Sequence, residues 1–378
     1  MFVPGLPTLW PAMLLPSHRQ QEYFPFCSPT VRYFYFARNA IWLVAQRLGL
    51  AHSEVLVPAY HHGVEIEALI DAGAQVKFYR IGPCWELDLE DVASKIGPQT
   101  RALYLIHYAG FPSPVHEMRA LADRYGLILI EDCALSLLSA ADGIALGTTG
   151  DIAIYCLYKV LPVPNGGALI INNPTIGDIS QLSASIPAST FSHTISSLLQ
   201  NLALRGGRLG CQVRDWIRRL GKSAVSAAKI ERVAIGSQHF NRAHVHLAMS
   251  SFTRYIALSQ DMAGIVEQRR RNYHYLVEQL NDLAPTLYTT LPKGVSPLFY
   301  PLLVKDKDAV LIELARRGIE AIDFWRYFHP NCDATQFPDV ARLRKTIVEI
   351  PCHQDLSPAM MKRMAAIVQA VLMKLRKR

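Results

Sequence analysis

The first two hundred residues alternate short apolar runs with stretches of helical period, and this alternation restricts the fold more than any other feature of the chain. Val55–Val57, Gln75–Tyr79, Ala102–His107, Leu127–Ile130, Ile152–Leu157 and Ala168–Ile171 have the length and apolar content of strands. Arg38–Leu48, Gly63–Ala72, Leu89–Lys95 and Pro114–Tyr125 read as the helices between them. Parallel strands need long crossover connections, helices supply them, and right-handed crossovers leave few arrangements besides an open, mainly parallel sheet wrapped by helices. The expected fold class is therefore α/β, with a doubly wound sheet.

After Asn173 the pattern turns helical, over Ile176–Leu182, Thr194–Leu204, Val213–Leu220 and one long helix from Ser250 to Leu283. A smaller α+β unit closes the chain, with strands near Ser296–Val304 and Ile347–Ile350 and helices at Asp306–Arg317 and Pro358–Lys377. No repeat or flexible linker separates the parts. The expectation is a large domain of residues 1–248, carrying a helical insertion at about 174–238, packed on a small domain of residues 249–378. With 50% hydrophobic and 19% charged residues, the 378-residue chain has the apolar content such a core needs. Met1–Pro16 is apolar and broken by proline, with Arg19 as the first charge, so it reads as an arm packed on its own domain or a partner rather than a signal peptide. No run of about 18 apolar residues predicts a membrane-spanning helix.

Seven scattered cysteines without a C-x-x-C pair argue for a reducing, cytoplasmic setting and against a disulfide framework or structural zinc. The net charge of +8 is concentrated: Asn201–Arg232 holds eight basic and two acidic residues. That concentration fits a solvated helix face or a site for an anionic substrate or surface. The stripe Gln268–Leu276 reads as a helix face and core anchor, and no nucleic-acid partner is expected.

In an open parallel sheet, ligands bind beyond the carboxyl ends of the strands. Three polar sites follow apolar runs there. Residues 127–132 (LILIED) end a buried strand on Glu131 and Asp132. A buried carboxylate there needs a cationic partner to stay ionised, and a helix cap or structural ion pair satisfies the same pattern. Residues 150–167 (GDIAIYCLYKVLPVPNGG) end a strand near Lys159, ahead of a stiff Pro-x-Pro and a Gly pair. An amine in an apolar site loses proton affinity and becomes a nucleophile, whereas a surface lysine would snorkel into water. Residues 33–40 (YFYFARNA) lead into a helix whose free N–H groups, with Arg38, suit an anion.

Together these residues resemble the DegT/DnrJ/EryC1/StrS family of pyridoxal-phosphate enzymes, the fold-type-I sugar aminotransferases, over nearly the whole chain. Residues 2–8 (FVPGLPT) look like the family's start, and 55–62 (VLVPAYHH) like its "VIVPsyT" segment with the following aromatic. Residues 101–110 (RALYLIHYAG) are similar to "kAIipVHlyG", 130–134 (IEDCA) to "iEDaA", and 348–357 (VEIPCHQDLS) to "lPlHpdls". Lys159 followed by Gly166 and Gly167 keeps the family's order.

The resemblance implies a large domain built on a mainly parallel sheet of the seven-stranded type, a small C-terminal α+β domain, and a cytoplasmic homodimer with sites at the dimer interface. It implies pyridoxal 5′-phosphate as cofactor, held through the amine of Lys159, with Asp132 keeping its pyridine nitrogen protonated, His62 flat on its ring, and Arg38 and Asn39 at its phosphate. Cys156 stands nearest to the family's phosphate-binding serine, and Phe240-Asn241-Arg242 loosely represents its neighbouring-subunit Asn-x-Arg motif. Tyr60 and His107 are candidate substrate residues, and His353 is expected to be structural or beside the substrate. The implied reaction moves an amino group from a glutamate-like donor to a keto acceptor, a nucleotide-linked keto sugar, with Lys159 moving the proton.

This chain departs from the family pattern at Leu135, where an amide is usual, in a lysine loop shorter by about two residues, and at Ala37-Arg38 in place of Gly-Thr. Two alternatives stay open: a different reaction on the same cofactor, against which Lys159 argues because the dehydratases carry histidine there, and a non-catalytic binding protein. No metal is expected, since His61, His62 and His107 lack acidic partners at ligand spacing, and no hydrolase elbow, dinucleotide or Walker motif is present. The basic segment, with Arg218 and Arg219, is expected to meet the acceptor's diphosphate.

Overall fold

Nine strands appear in the first half of the computed structural model, which describes residues 2–15, 21–179, 182–183, 187–227 and 240–376. They are β1 (Arg32–Phe34), β2 (Glu54–Pro58), β3 (Gln75–Tyr79), β4 (Thr100–Ile106), β5 (Ile128–Asp132), the short hairpin β6 (Ala140–Ala141) and β7 (Ile144–Ala145), β8 (Ile152–Cys156) and β9 (Gly167–Ile171). All but the hairpin join one seven-stranded sheet in the order β1-β9-β8-β5-β4-β2-β3. The pairs from β3 to β8 are parallel, and β9 and β1 close the edge antiparallel. β8 and β9 are buried along their whole length, as expected of strands covered on both faces.

Helices α1 (Ala37–Arg47), α2 (Val64–Asp71), α3 (Leu89–Lys95) and α4 (Val115–Tyr125) connect these strands. Their ends follow local chemistry. Asp88 caps α3 by accepting from the Asp91 N–H at 2.9 Å, and Gly126 ends α4 in the left-handed conformation at φ 64°. The α/β sheet is therefore as the alternation predicts, with strand and helix ends displaced by a residue or two. β1 escaped the reading because three residues are too few to show a period.

The helical region differs from expectation in two places. Ile176–Leu182 is not a helix: a 3₁₀ turn at Pro174–Ile176 ends at Gly177, whose φ of 76° stops it, and residues 180–181 lie outside the described set. The two helices expected at Thr194–Leu204 and Val213–Leu220 are present, longer than expected, as the two arms of one run, α5 (Pro187–Ala227), separated by a kink at Gly207 where φ is 56°. The long helix expected from Ser250 to Leu283 is split into α6 (Ser251–Leu258) and α7 (Met262–Leu280), because the Asp261 carboxylate caps a new start at Gly264.

The remaining elements are β10 (Phe299–Leu303), α8 (Lys307–Arg316), β11 (Ile322–Asp323), α9 (Pro338–Thr346), β12 (Ile347–Pro351) and α10 (Pro358–Arg376). The strands form a second, antiparallel sheet ordered β10-β12-β11. The N-terminal arm packs on this part of its own chain. The Val3 N–H donates to Gly318 at 2.8 Å, and the Thr8 N–H and hydroxyl both donate to one Asp355 oxygen, at 2.6 and 2.7 Å. α5 lies across the arm, with Asn201 donating to the Thr8 hydroxyl at 2.9 Å.

Candidate active site

The carboxyl ends of β5 and β8 open into one pocket, walled by Ala37, Arg38 and Ile41 of α1, by His62, Val64 and Glu65 at the start of α2, and by Trp325. Asp132, Leu135, Cys156, Tyr158 and Lys159 complete the lining. Asp132 arrives on the last residue of β5, in register with Ile154 of β8. Lys159 follows β8 on the last residue of a 3₁₀ turn, Leu157–Lys159. Arg38, on the second residue of α1, stands 9% exposed with its guanidinium 4.2 Å from the centre of the Phe36 ring.

Asp132 is buried and accepts two hydrogen bonds, from the Tyr104 hydroxyl at 2.7 Å and the Ala134 N–H at 2.8 Å. Burial still raises its pKa above the usual carboxylate range, against the opposing pull of Tyr104, Ala134 and the Lys159 charge. Glu65 shares this floor. It is 3% exposed and accepts from the His62 N–H at 2.7 Å, and burial, reinforced by the Asp132 charge, pushes its carboxyl up to about 7. From the second sheet, burial likewise pushes Glu349 up to about 7, with the Lys159 charge opposing. Two carboxyls, Glu65 and Asp132, line the pocket, both acted on by the charge of Lys159. A cationic ring nitrogen would favour their ionised forms.

Buried arginines hold the two parts of the chain together around this pocket. Arg269 of α7 donates to the carbonyls of Pro297 at 3.2 Å, Leu298 at 2.9 Å and Val160 at 3.3 Å, and to the Gln354 amide oxygen at 2.9 Å. Gln354 itself donates to the Val160 carbonyl at 2.8 Å, so the residue after Lys159 is held twice. Arg344 of α9 donates to His61 and Ala59 carbonyls at 3.0 and 3.1 Å and to the Trp325 carbonyl at 2.6 Å. It ties the loop after β2 to the tryptophan that walls the pocket.

Of the residues singled out in the sequence, Arg38, His62, Asp132, Cys156 and Lys159 line the pocket. The others are placed elsewhere. Asn39 is buried and its side chain donates to the His244 carbonyl at 2.7 Å. Asn241 is exposed and caps a 3₁₀ turn by accepting from the Ala243 N–H at 3.0 Å. Tyr60 is fully buried among Trp85, Tyr108, Phe324 and Trp325. His353 is 1% exposed and bonds the Pro4 carbonyl at 3.0 Å, fastening the arm.

His107 is also structural in its contacts. Its Nδ1 accepts from the Ser113 N–H at 3.0 Å, so Nε2 carries the proton and donates to Glu131 at 3.0 Å. Glu131 further accepts from the N–H groups of Gly147, Thr149 and Gly150. Burial pushes the Glu131 carboxyl up, but these bonds and His107 outweigh it and hold the group low. Ligand-type atoms of His107, Glu131 and Cys133 lie within 4.8 Å of one another, yet the hydrogen bonds account for Glu131 and burial pushes the Cys133 thiol well up. All seven cysteines are free thiols.

Glu65 and Trp325 were missed in the sequence. A glutamate two residues past Gly63 at a helix start reads as a cap, and it does bond back to His62 as a cap would. Nothing local marks Trp325, which reaches the pocket from the second half of the chain.

Comparison with known proteins agrees with this geometry. Residues 37–193 match the model of the DegT/DnrJ/EryC1/StrS aminotransferase family. The GDP-perosamine synthase of Vibrio cholerae is 32% identical over 143 residues, 37% of this chain and 39% of that protein. The dTDP-4-dehydro-2,3,6-trideoxy-D-glucose 4-aminotransferase of Saccharopolyspora spinosa is 33% identical over 141 residues, 36% of this chain and 37% of that protein. The aligned stretch therefore spans well under half of these relatives. The fold extends further: the aminotransferase TlmJ from Streptoalloteichus hindustanus superposes with a TM-score of 0.66 at 21% identity, over 92% of this chain and 87% of that one. PseC of Helicobacter pylori superposes with a TM-score of 0.65 at 16% identity, over 91% and 87%. The strand ends, the lysine and the acidic pair all lie inside the residues that are similar to the DegT/DnrJ/EryC1/StrS aminotransferase family.

Proposed function

We propose that this chain is a pyridoxal-phosphate-dependent aminotransferase that moves an amino group from a glutamate-like donor to a keto group on a nucleotide-linked sugar. The observation that carries the reading is the convergence of Lys159 and Asp132 on one pocket from neighbouring strands. The donor set fits the cofactor: an amine, a buried carboxylate, and an arginine at the start of α1. When bound, pyridoxal phosphate supplies the electron sink that makes the donor's Cα–H bond breakable.

The side chains divide the remaining work. Asp132, oriented by Tyr104 and Ala134, would keep the ring nitrogen protonated. Arg38, at the start of α1, would bind the phosphate. His62 would pack on the ring, Cys156 would wall it beside Lys159, and Leu135 and Trp325 would exclude water. Lys159 would hold the cofactor through its amine and would serve as the base for the donor's Cα proton. Asn39 supports α1 from behind through His244 rather than touching the cofactor. The chain works as a cytoplasmic homodimer, in which Asn241 serves the pocket of a second copy. The relatives named for GDP- and dTDP-linked sugars support the acceptor class.

The test is conversion. Purified protein with pyridoxal phosphate, glutamate and a set of GDP- and dTDP-linked keto sugars is expected to release 2-oxoglutarate and one amino sugar. Release with none of them, under conditions where the cofactor is bound, would reject this acceptor class.

A further inference from the structure

α5 presents an apolar stripe that nothing among the described residues covers. Phe191, Leu209 and Trp216 are 68%, 69% and 63% exposed, and Ile195 and Leu202 join them at 37% and 42%. These five are a large share of the big apolar side chains exposed among the described residues, gathered on one element. Ile195 and Leu202 stand seven residues apart before the kink, and Leu209 and Trp216 seven apart after it, so each arm of the helix has its own one-sided stripe. The opposite side of the helix is anchored: Ser197 accepts from the Leu9 N–H at 2.8 Å, Asn201 donates to Thr8, and Ala203 and Leu204 are buried. The stripe is therefore displayed by a fixed element.

Charge says what the stripe meets. Along its 41 residues α5 carries six lysines and arginines against one acid, Asp215. Arg205, Arg208 and Arg219 are exposed, and Arg205 lies over the Trp10 ring at the side of the stripe. None of the described side chains of α5 lines the pocket, and Arg218, Lys222 and residues 228–232 of the basic segment lie outside the described side chains. A second copy would bring an equally basic face against this one, whereas an apolar stripe edged by arginines with aromatic anchors suits the boundary between anionic headgroups and acyl chains. No described helix is long and apolar enough to cross a membrane, so the contact lies in the plane of the surface.

We infer that α5 is an interfacial membrane anchor, which docks the protein on an anionic phospholipid surface through Phe191, Leu202, Leu209 and Trp216 with Arg205, Arg208 and Arg219 at the headgroups. This goes beyond the proposed reaction and does not depend on it.

The test is co-sedimentation of the full-length, cofactor-loaded protein with phosphatidylcholine vesicles containing about 30% phosphatidylglycerol, against pure phosphatidylcholine. The wild type is expected to partition at least about tenfold more strongly into the anionic vesicles, and added salt to weaken it. Two double variants, Leu209→Glu with Trp216→Glu and Arg205→Glu with Arg208→Glu, are each expected to lose about tenfold. Circular dichroism and thermal melting confirm that these variants still fold. Absence of partition by the wild type, or partition unchanged by the Leu209 and Trp216 substitutions, overturns the inference. So does a wild type that ignores vesicles while the apolar variant converts a dimer to a monomer in sedimentation velocity, which assigns the stripe to a second copy.

Discussion

Asp132 and Lys159 reach the same pocket from adjacent parallel strands: Asp132 ends β5 in register with Ile154, and the chain needs one turn beyond β8 to bring Lys159 over it. The sheet fixes this relationship before any ligand arrives. What the pocket can do then depends on how firmly the lysine turn is held and how the nearby carboxyls share protons.

The turn is held by Arg269. Arg269→Met removes donors from three buried carbonyls and from Gln354, and is expected to destabilise the protein by about 3 kcal/mol. Urea unfolding measures it. A loss under about 1 kcal/mol would mean that Gln354 alone secures Val160.

Glu65 sets a pH dependence. Its folded value of about 7 lies above the ordinary 4.5, so the folded state holds this proton more tightly than the unfolded chain. The stabilisation is complete below 4.5 and is lost as pH rises through 7, where a charge must be buried near Asp132. Glu65→Gln keeps the acceptor for the His62 N–H. In the cofactor-free protein it is expected to match or slightly weaken the wild type at pH 5 and to exceed it at pH 8, by on the order of 2 kcal/mol. Thermal melts at both pH values decide; a difference of the same size at both would remove the titration from the account.

Arg38 lines the pocket and is proposed to bind the phosphate. Arg38→Ala is expected to weaken cofactor binding about 10- to 100-fold, while pyridoxal without its phosphate binds both proteins alike. Absorbance titration with both compounds gives the comparison. An equal loss for both would show that Arg38 only shapes the pocket wall.

Most of the sheet was legible because β2, β4, β5, β8 and β9 are buried apolar runs between helices, and burial on both faces writes itself into composition. Asp132 and Lys159 drew attention because they follow such runs, where a cap, an ion pair or a snorkelling lysine fits equally well, and only the fold brings the two to one pocket. The histidines were not legible. His107 spends both ring nitrogens on Glu131 and Ser113, and His353 bonds the Pro4 carbonyl through Nε2, contacts that only three-dimensional neighbours reveal. Tyr60 sits in an aromatic cluster assembled from both halves of the chain. Glu65 was hidden by its capping bond, and the α6–α7 break by an apolar period that continues across Asp261. Where Trp325 and Glu349 approach is set by Arg269 and Arg344, whose partners lie far away in sequence.

We propose that Lys159 holds the cofactor in a pocket completed by Asp132. The test is reduction of the pyridoxal-phosphate-loaded protein with borohydride, followed by peptide mass spectrometry. One phosphopyridoxyl adduct is expected, on the peptide containing Lys159, with the Lys159→Ala protein unlabelled and the visible band of the unreduced wild type bleached by glutamate. An adduct spread over surface lysines, or labelling that survives Lys159→Ala, would contradict it.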